Sequence, residues 1–156
     1  MKNVNELLGL KNPAEVNEKL NELLASFQVY YQNLRGFHWN VKGKLFFTLH
    51  SKFEELYDDA AEKVDEVAER ILTLGGKPLH TFDDYLKTSK IAVVKDEHDG
   101  LKLVEAAIDN ISTLIRLERE IIPVAEKIDD EGTASLMSDF ISEQEKTVWM
   151  LKALID

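Results

Sequence analysis

Residues 45–76, LFFTLHSKFEELYDDAAEKVDEVAERILTLGG, carry the periodicity of one long helix. Phe53, Leu56, Val64, Val67 and Leu72 recur at helical spacing, while the positions between them are largely charged. Gly75-Gly76 followed by Pro78 ends the pattern, because glycine tolerates the left-handed geometry of a helix C-terminus and proline cannot continue the backbone bonding. A helix of this length must bury its apolar stripe against other helices.

The flanking sequence supplies them. Upstream, Asn12-Pro13 has the form of an N-cap followed by a proline at the first helical position. Val16, Leu20, Leu23, Leu24, Phe27, Tyr30, Tyr31 and Leu34 then share a broad face that should extend to about Trp39, with Gly43 in the turn. Downstream, Thr81-Phe82-Asp83-Asp84 has the spacing of a capping box with Asp in place of Glu, so a short helix is expected over Asp83–Thr88. A third long helix is marked by Leu101, Val104, Ala107, Ile108, Ile111, Leu114, Ile115 and Glu118, with Pro123 expected to kink or locally break it. A fourth follows through Leu136, Phe140, Ile141, Val148, Leu151 and Leu154. No segment alternates as a strand does. Two long helices, a lengthy connection and two more long helices form the layout of a ferritin-like bundle. The expected fold is all-α: one ferritin-like four-helix domain over residues 1–156, with a short helix in the crossover between the second and third long helices.

Composition narrows the chemistry. At 156 residues the chain suits one core of the usual size, about 100 to 150 residues. It has no cysteine, so any metal must be held by His, Asp and Glu. The first residues lack a basic start and an apolar h-region, and no apolar run nears the ~18 residues of a membrane span, so the expectation is a soluble, cytoplasmic protein without membrane partners. Acidic residues outnumber basic ones 29 to 19, a net charge of −10 that attracts cations and repels phosphate backbones. Neither end carries a Lys-rich arm to override this, so direct DNA binding is not expected.

The candidate ligands lie in the first two long helices. His38 is near the end of one and His50 in the first turns of the next, so the Gly43 turn can bring both imidazoles together. Asp65 and Glu69 are four apart and share a helical face. Imidazole combined with carboxylate suits iron or manganese, and also zinc. Fifteen residues separate His50 from Asp65 on one helix, about 22 Å along its axis, so they cannot share a metal within one chain. Two-fold antiparallel packing of this helix against its copy removes the difficulty, because it brings together positions whose numbers have a constant sum. The pairs 50 with 69 and 54 with 65 both sum to 119. The stripe His50, Glu54, Asp58, Ala61, Asp65, Glu69 stays on one face and is assigned to this contact.

The stretches HWNVKGKLFFTLHSKFE, His38–Glu54, and DEVAERILTLGGKP, Asp65–Pro78, resemble the signature segments of the Dps family of miniature ferritins. The resemblance extends over nearly the whole chain. It implies a hollow shell of twelve subunits that binds iron at its two-fold interfaces. His38, His50, Asp65 and Glu69 match the family's iron ligands, which implies that they are the ferroxidase residues, with histidines and carboxylates from different subunits. Glu54 matches an acidic position that assists a second, weaker iron. Ferrous iron and hydrogen peroxide, or dioxygen more slowly, are the implied substrates, ferric oxide-hydroxide the stored product, and protection from oxidative damage the outcome. Trp39 resembles a tryptophan beside the site, and Glu126, Asp129, Asp130 and Glu131 match either an acidic pore or simply a charged helix start. A Glu-x-x-His pair, needed for a di-iron site inside one bundle, is absent. A nucleoid protein that coats DNA, with iron oxidation secondary, is the competing reading.

Overall fold

The computed structural model describes residues 1–156, which form six helices: α1 (Val4–Leu8), α2 (Ala14–Asn40), α3 (Phe46–Thr73), α4 (Phe82–Thr88), α5 (Gly100–Glu126) and α6 (Glu131–Ile155). The four long ones make the bundle, α2 packing along α3 and α5, and α5 along α6. The core is continuous, with Leu20, Leu24 and Phe27 of α2, Phe53 and Ile71 of α3, Leu103 and Ile111 of α5 and Met137 of α6 all buried. No helix is long and apolar enough to cross a membrane.

Most helix ends follow the expected chemistry, and the departures have physical causes. Pro13 itself occupies the cap of α2, with no side-chain hydrogen bond, while Asn12 sits at φ 48° in the left-handed region, so the Asn12 N-cap is corrected. A short α1 precedes it, closed by a reciprocal capping box between Asn3 and Glu6. At α4 the Thr81 hydroxyl oxygen accepts from Asp84 N–H at 3.2 Å, as expected. The Asp84 carboxylate, one methylene shorter than Glu, accepts from that hydroxyl at 2.8 Å in place of the Thr81 backbone. Pro123 does not end α5, which runs on to Glu126. It removes one hydrogen bond in the final turn, and the burial of Ile121, Val124 and Ala125 around it holds that turn.

The acidic turn before α6 resolves in favour of a helix start at one position. Asp130 is buried and accepts from Thr133 N–H at 3.0 Å, and the Arg70 guanidinium of α3 donates to it at 2.5 Å. Arg70 crosses directly over Gly132, where an added Cβ would lie 2.9 Å from the guanidinium, so the glycine makes room for the ion pair. Glu126, Asp129 and Glu131 stay exposed.

α3 and α6 meet through long polar side chains. Lys63, 4% exposed, donates to Asp59 at 2.6 Å and to Glu143 of α6 at 2.8 Å, and its ammonium lies 5.2 Å from the Phe140 ring centre. Burial works against the ammonium, but the hydrogen bonds to Asp59 and Glu143 outweigh it and hold the pKa above the ordinary lysine value. Beside it on α5, Glu118 is fully buried and accepts from Gln144 Nε2 at 2.8 Å, leaving its second oxygen unpartnered. Burial pushes the Glu118 carboxyl up to about 8, so it is largely protonated at neutral pH.

Candidate metal centre

The hairpin of α2 and α3 brings His38 and His50 together as the spacing suggested, in a more specific way than spacing can express. Their rings stack at 3.8 Å between centroids with 14° between planes. His38 Nδ1 lies 2.6 Å from the His50 carbonyl oxygen, and His50 Nδ1 lies 2.8 Å from the His38 carbonyl oxygen. The second bond has a clear origin. Val41 N–H takes the Phe37 carbonyl and Lys42 N–H turns away to His98, so the His38 carbonyl belongs to the unpaired set at the end of α2. His50 satisfies it.

These bonds dictate the tautomer. A carbonyl oxygen only accepts, so each Nδ1 carries a hydrogen, and in the neutral ring Nε2 then holds the lone pair. Fixing one imidazole nitrogen to a carbonyl so that the other is available is the usual outer support of a histidine metal ligand. An aromatic wall holds the pair: Phe46 stacks on His50 at 5.1 Å, Tyr57 sets its edge against His38 at 5.4 Å, and Tyr31 meets Tyr57 at 6.0 Å. Desolvation raises the Tyr57 phenol pKa, aided by the charges of Glu54 and Asp58 and opposed by Arg35, so it stays neutral. Sequence reading had missed Tyr57. Its signal was its place seven residues after His50, on the same helical face.

The carboxylates lie elsewhere on α3. Glu54, Asp65 and Glu69 are exposed, while the ion pairs of this helix use Lys52, Lys63 and Arg70 with other partners. No three His, Asp or Glu side chains of one chain converge on a point that could hold a metal ion. Because α3 is continuous from Phe46 to Thr73, His50 and Asp65 stay on the order of 22 Å apart. One protomer therefore carries half-buried His50 near one end of α3, backed by the buried His38 of α2, and an exposed carboxylate pair near the other end.

Trp39 is more than half exposed beside His38, with the Arg35 guanidinium 4.9 Å from its ring. Trp149 is likewise exposed in the single chain. His80 and His98 place Nδ1 near the carbonyls of Pro78 and Asn40, at 3.1 and 3.2 Å, and take no part in the pair.

The ferritin-like domain family matches residues 17–156. The DNA protection during starvation protein of Porphyromonas gingivalis is 49% identical, the alignment spanning 98% of each chain. DNA protection during starvation protein 2 of Bacillus anthracis is 40% identical over 91% of this chain and 97% of its own. Among solved structures, the Dps protein of Vibrio cholerae O1, described as a member of a broad superfamily of ferritin-like diiron-carboxylate proteins, superposes with a TM-score of 0.90 at 49% identity, covering 91% of this chain and 89% of that one. Helix layout, signature segments and these likenesses agree that the chain belongs to the ferritin-like family, in its Dps branch of miniature ferritins.

Proposed function

We propose that the protein is a ferroxidase and iron-storage miniferritin whose sites form between two copies of the chain. The observation that carries this reading is the division of α3 into two half-sites. His38 and His50, each held with a free Nε2, stand at one end, and Asp65 and Glu69 are four residues apart at the other. Antiparallel pairing about a two-fold axis sets His50 of one protomer by Glu69 of the partner subunit and makes two equivalent sites. Glu54 then lies near Asp65 of the partner subunit, placed to assist a second iron.

Ferrous iron is the substrate. The carboxylates and imidazole nitrogens hold it, and one hydrogen peroxide takes an electron from each of two ferrous ions and, with two protons, leaves as two waters. No hydroxyl radical is released, so iron capture and protection from oxidative damage become one event. Dioxygen serves as the slower oxidant. The ferric product accumulates as oxide-hydroxide inside a shell of twelve subunits in the cytoplasm.

Stopped-flow ferrous oxidation with peroxide and with dioxygen, run on size-fractionated protein, tests oxidant and assembly together. Activity confined to the assembled fraction and faster with peroxide is expected. A monomer that oxidises iron as fast as the shell would refute the shared site. The competing DNA-coating role is tested by a gel shift at moderate salt. With −10 per chain, about −120 per shell, no retention is expected.

A further inference from the structure

The outer face of α3 has the same step pattern in either direction, about a point between positions 59 and 60. Outside the His50/Glu69, Glu54/Asp65 and Asp58/Ala61 pairs lie two more residues whose numbers also sum to 119, Phe47 and Leu72. The steps along the whole stripe are 3, 4, 4, 3, 4, 4 and 3, so all of it stays on one side of the helix. Phe47 is 85% and Leu72 57% exposed, and they are the only large apolar side chains that α3 leaves to solvent. The polar residues between them do not select one register. A slip of one turn, to a sum of 115, would still set His50 against a carboxylate, that of Asp65. Phe47 would then meet the half-buried Ala68, and Leu72 would pass the end of the helix.

We propose that Phe47 of one protomer packs on Leu72 of the partner subunit, at both ends of the antiparallel α3 pair, and that these contacts select the register in which His50 meets Glu69 of the partner subunit. Phe47 and Leu72 are positioning residues, acting on the site through the helix that carries its ligands. The occupant of the face, a second copy of this chain, rests on the shared-site reading, and the register rests on the stripe itself. The contacts also offset a repulsion. Glu54 of one chain approaches Asp65 of the partner subunit, so without iron the middle of the pair is acidic against acidic, and apolar burial at the ends opposes separation.

The absence of cysteine gives a clean test. The full-length F47C/L72C protein, mildly oxidised, should form disulfide-linked dimers. Either single variant should form none. The two positions lie 25 residues apart on one straight helix, about 37 Å, so the bond cannot form within a chain. Cross-linking of F47C/A68C in its place, or of F47C alone, would overturn the register. A second measurement does not depend on the disulfide. F47K and L72E should each slow ferrous oxidation at least about tenfold, and protein reassembled from a mixture of the two should recover most of the rate, because that pairing puts Lys on Glu at one end and restores Leu on Phe at the other. Failure of the mixture to recover would also overturn the proposal. Cross-linked dimers inactive toward iron would remove the proposed function and leave the clamp standing. Full activity without cross-linking would do the reverse.

Discussion

The inner and outer faces of α3 treat charge in opposite ways. Inward, toward α6, each charged group finds its partner within the chain: Lys63 with Asp59 and Glu143, and Arg70 with Asp130. Outward, the imidazoles keep a free nitrogen and the carboxylates have no partner in the protomer. Buried charge is tolerable only when paired, so the inner face serves the fold. The open carboxylates carry little cost at the surface, and under the proposed function the outer face is the one that serves chemistry.

Mutations that strike one face and spare the other should separate the two roles. The largest effect is expected for His50→Ala combined with Asp65→Ala, which removes a ligand from each half-site. Ferrous oxidation should fall by at least about 100-fold while the sedimentation profile of the shell is unchanged. Loss of assembly would show that these residues build the interface rather than the site.

Next comes the neighbouring pair Glu69 and Arg70, adjacent in sequence and opposite in task. Arg70→Ala strands the buried Asp130 and should lower unfolding stability by about 2–4 kcal/mol in denaturant titrations, with little change in oxidation per folded shell. Glu69→Ala should change stability by less than about 0.5 kcal/mol and reduce oxidation instead.

Glu118 sharpens the inner side of the comparison through pH. Its folded pKa is raised from 4.5 to about 8, so the stability it allows is fully present below 4.5 and is lost as pH rises through the folded value. The thermal midpoint should therefore decline between about pH 5 and 8, and Glu118→Gln, which never ionises, should flatten that decline. An unchanged slope would mean the carboxylate is already ionised in the core. Among the inner-face residues the smallest effect is expected for Lys63→Met. Asp59 and Glu143 are half-exposed and can return to water, so the change should stay within about 1–2 kcal/mol of the parent.

How far the sequence disclosed this molecule follows from where each signal lies. The long helices were legible because their apolar residues recur over many turns, and the observed ends fall within two residues of the expected ones for α2 and α3. α1 was missed because five residues carry too little periodicity to register. Pro123 misled in the other direction, since a local rule about one lost hydrogen bond competes with core burial that only the fold reveals. The candidate ligands were legible as residue types at spacings. The reciprocal bonds between each Nδ1 and the other histidine's carbonyl were not, because they depend on how the Gly43 turn closes. The buried Glu118 stood in the apolar series that marks its helix, but spacing alone does not tell that its carboxyl is buried and accepts from Gln144.

That reciprocal histidine clasp also sets an order of events. Each ring is held by the other helix's backbone, so folding of the hairpin settles the imidazoles before any neighbour arrives. Under the shared-site proposal, a newly made protomer waits with half a reaction centre, unable to carry iron through an incomplete oxidation. Competence would then depend on encounter, rising with subunit abundance through mass action and vanishing on dilution. Under the shared-site proposal the cell acquires the reaction only together with the container that holds its product.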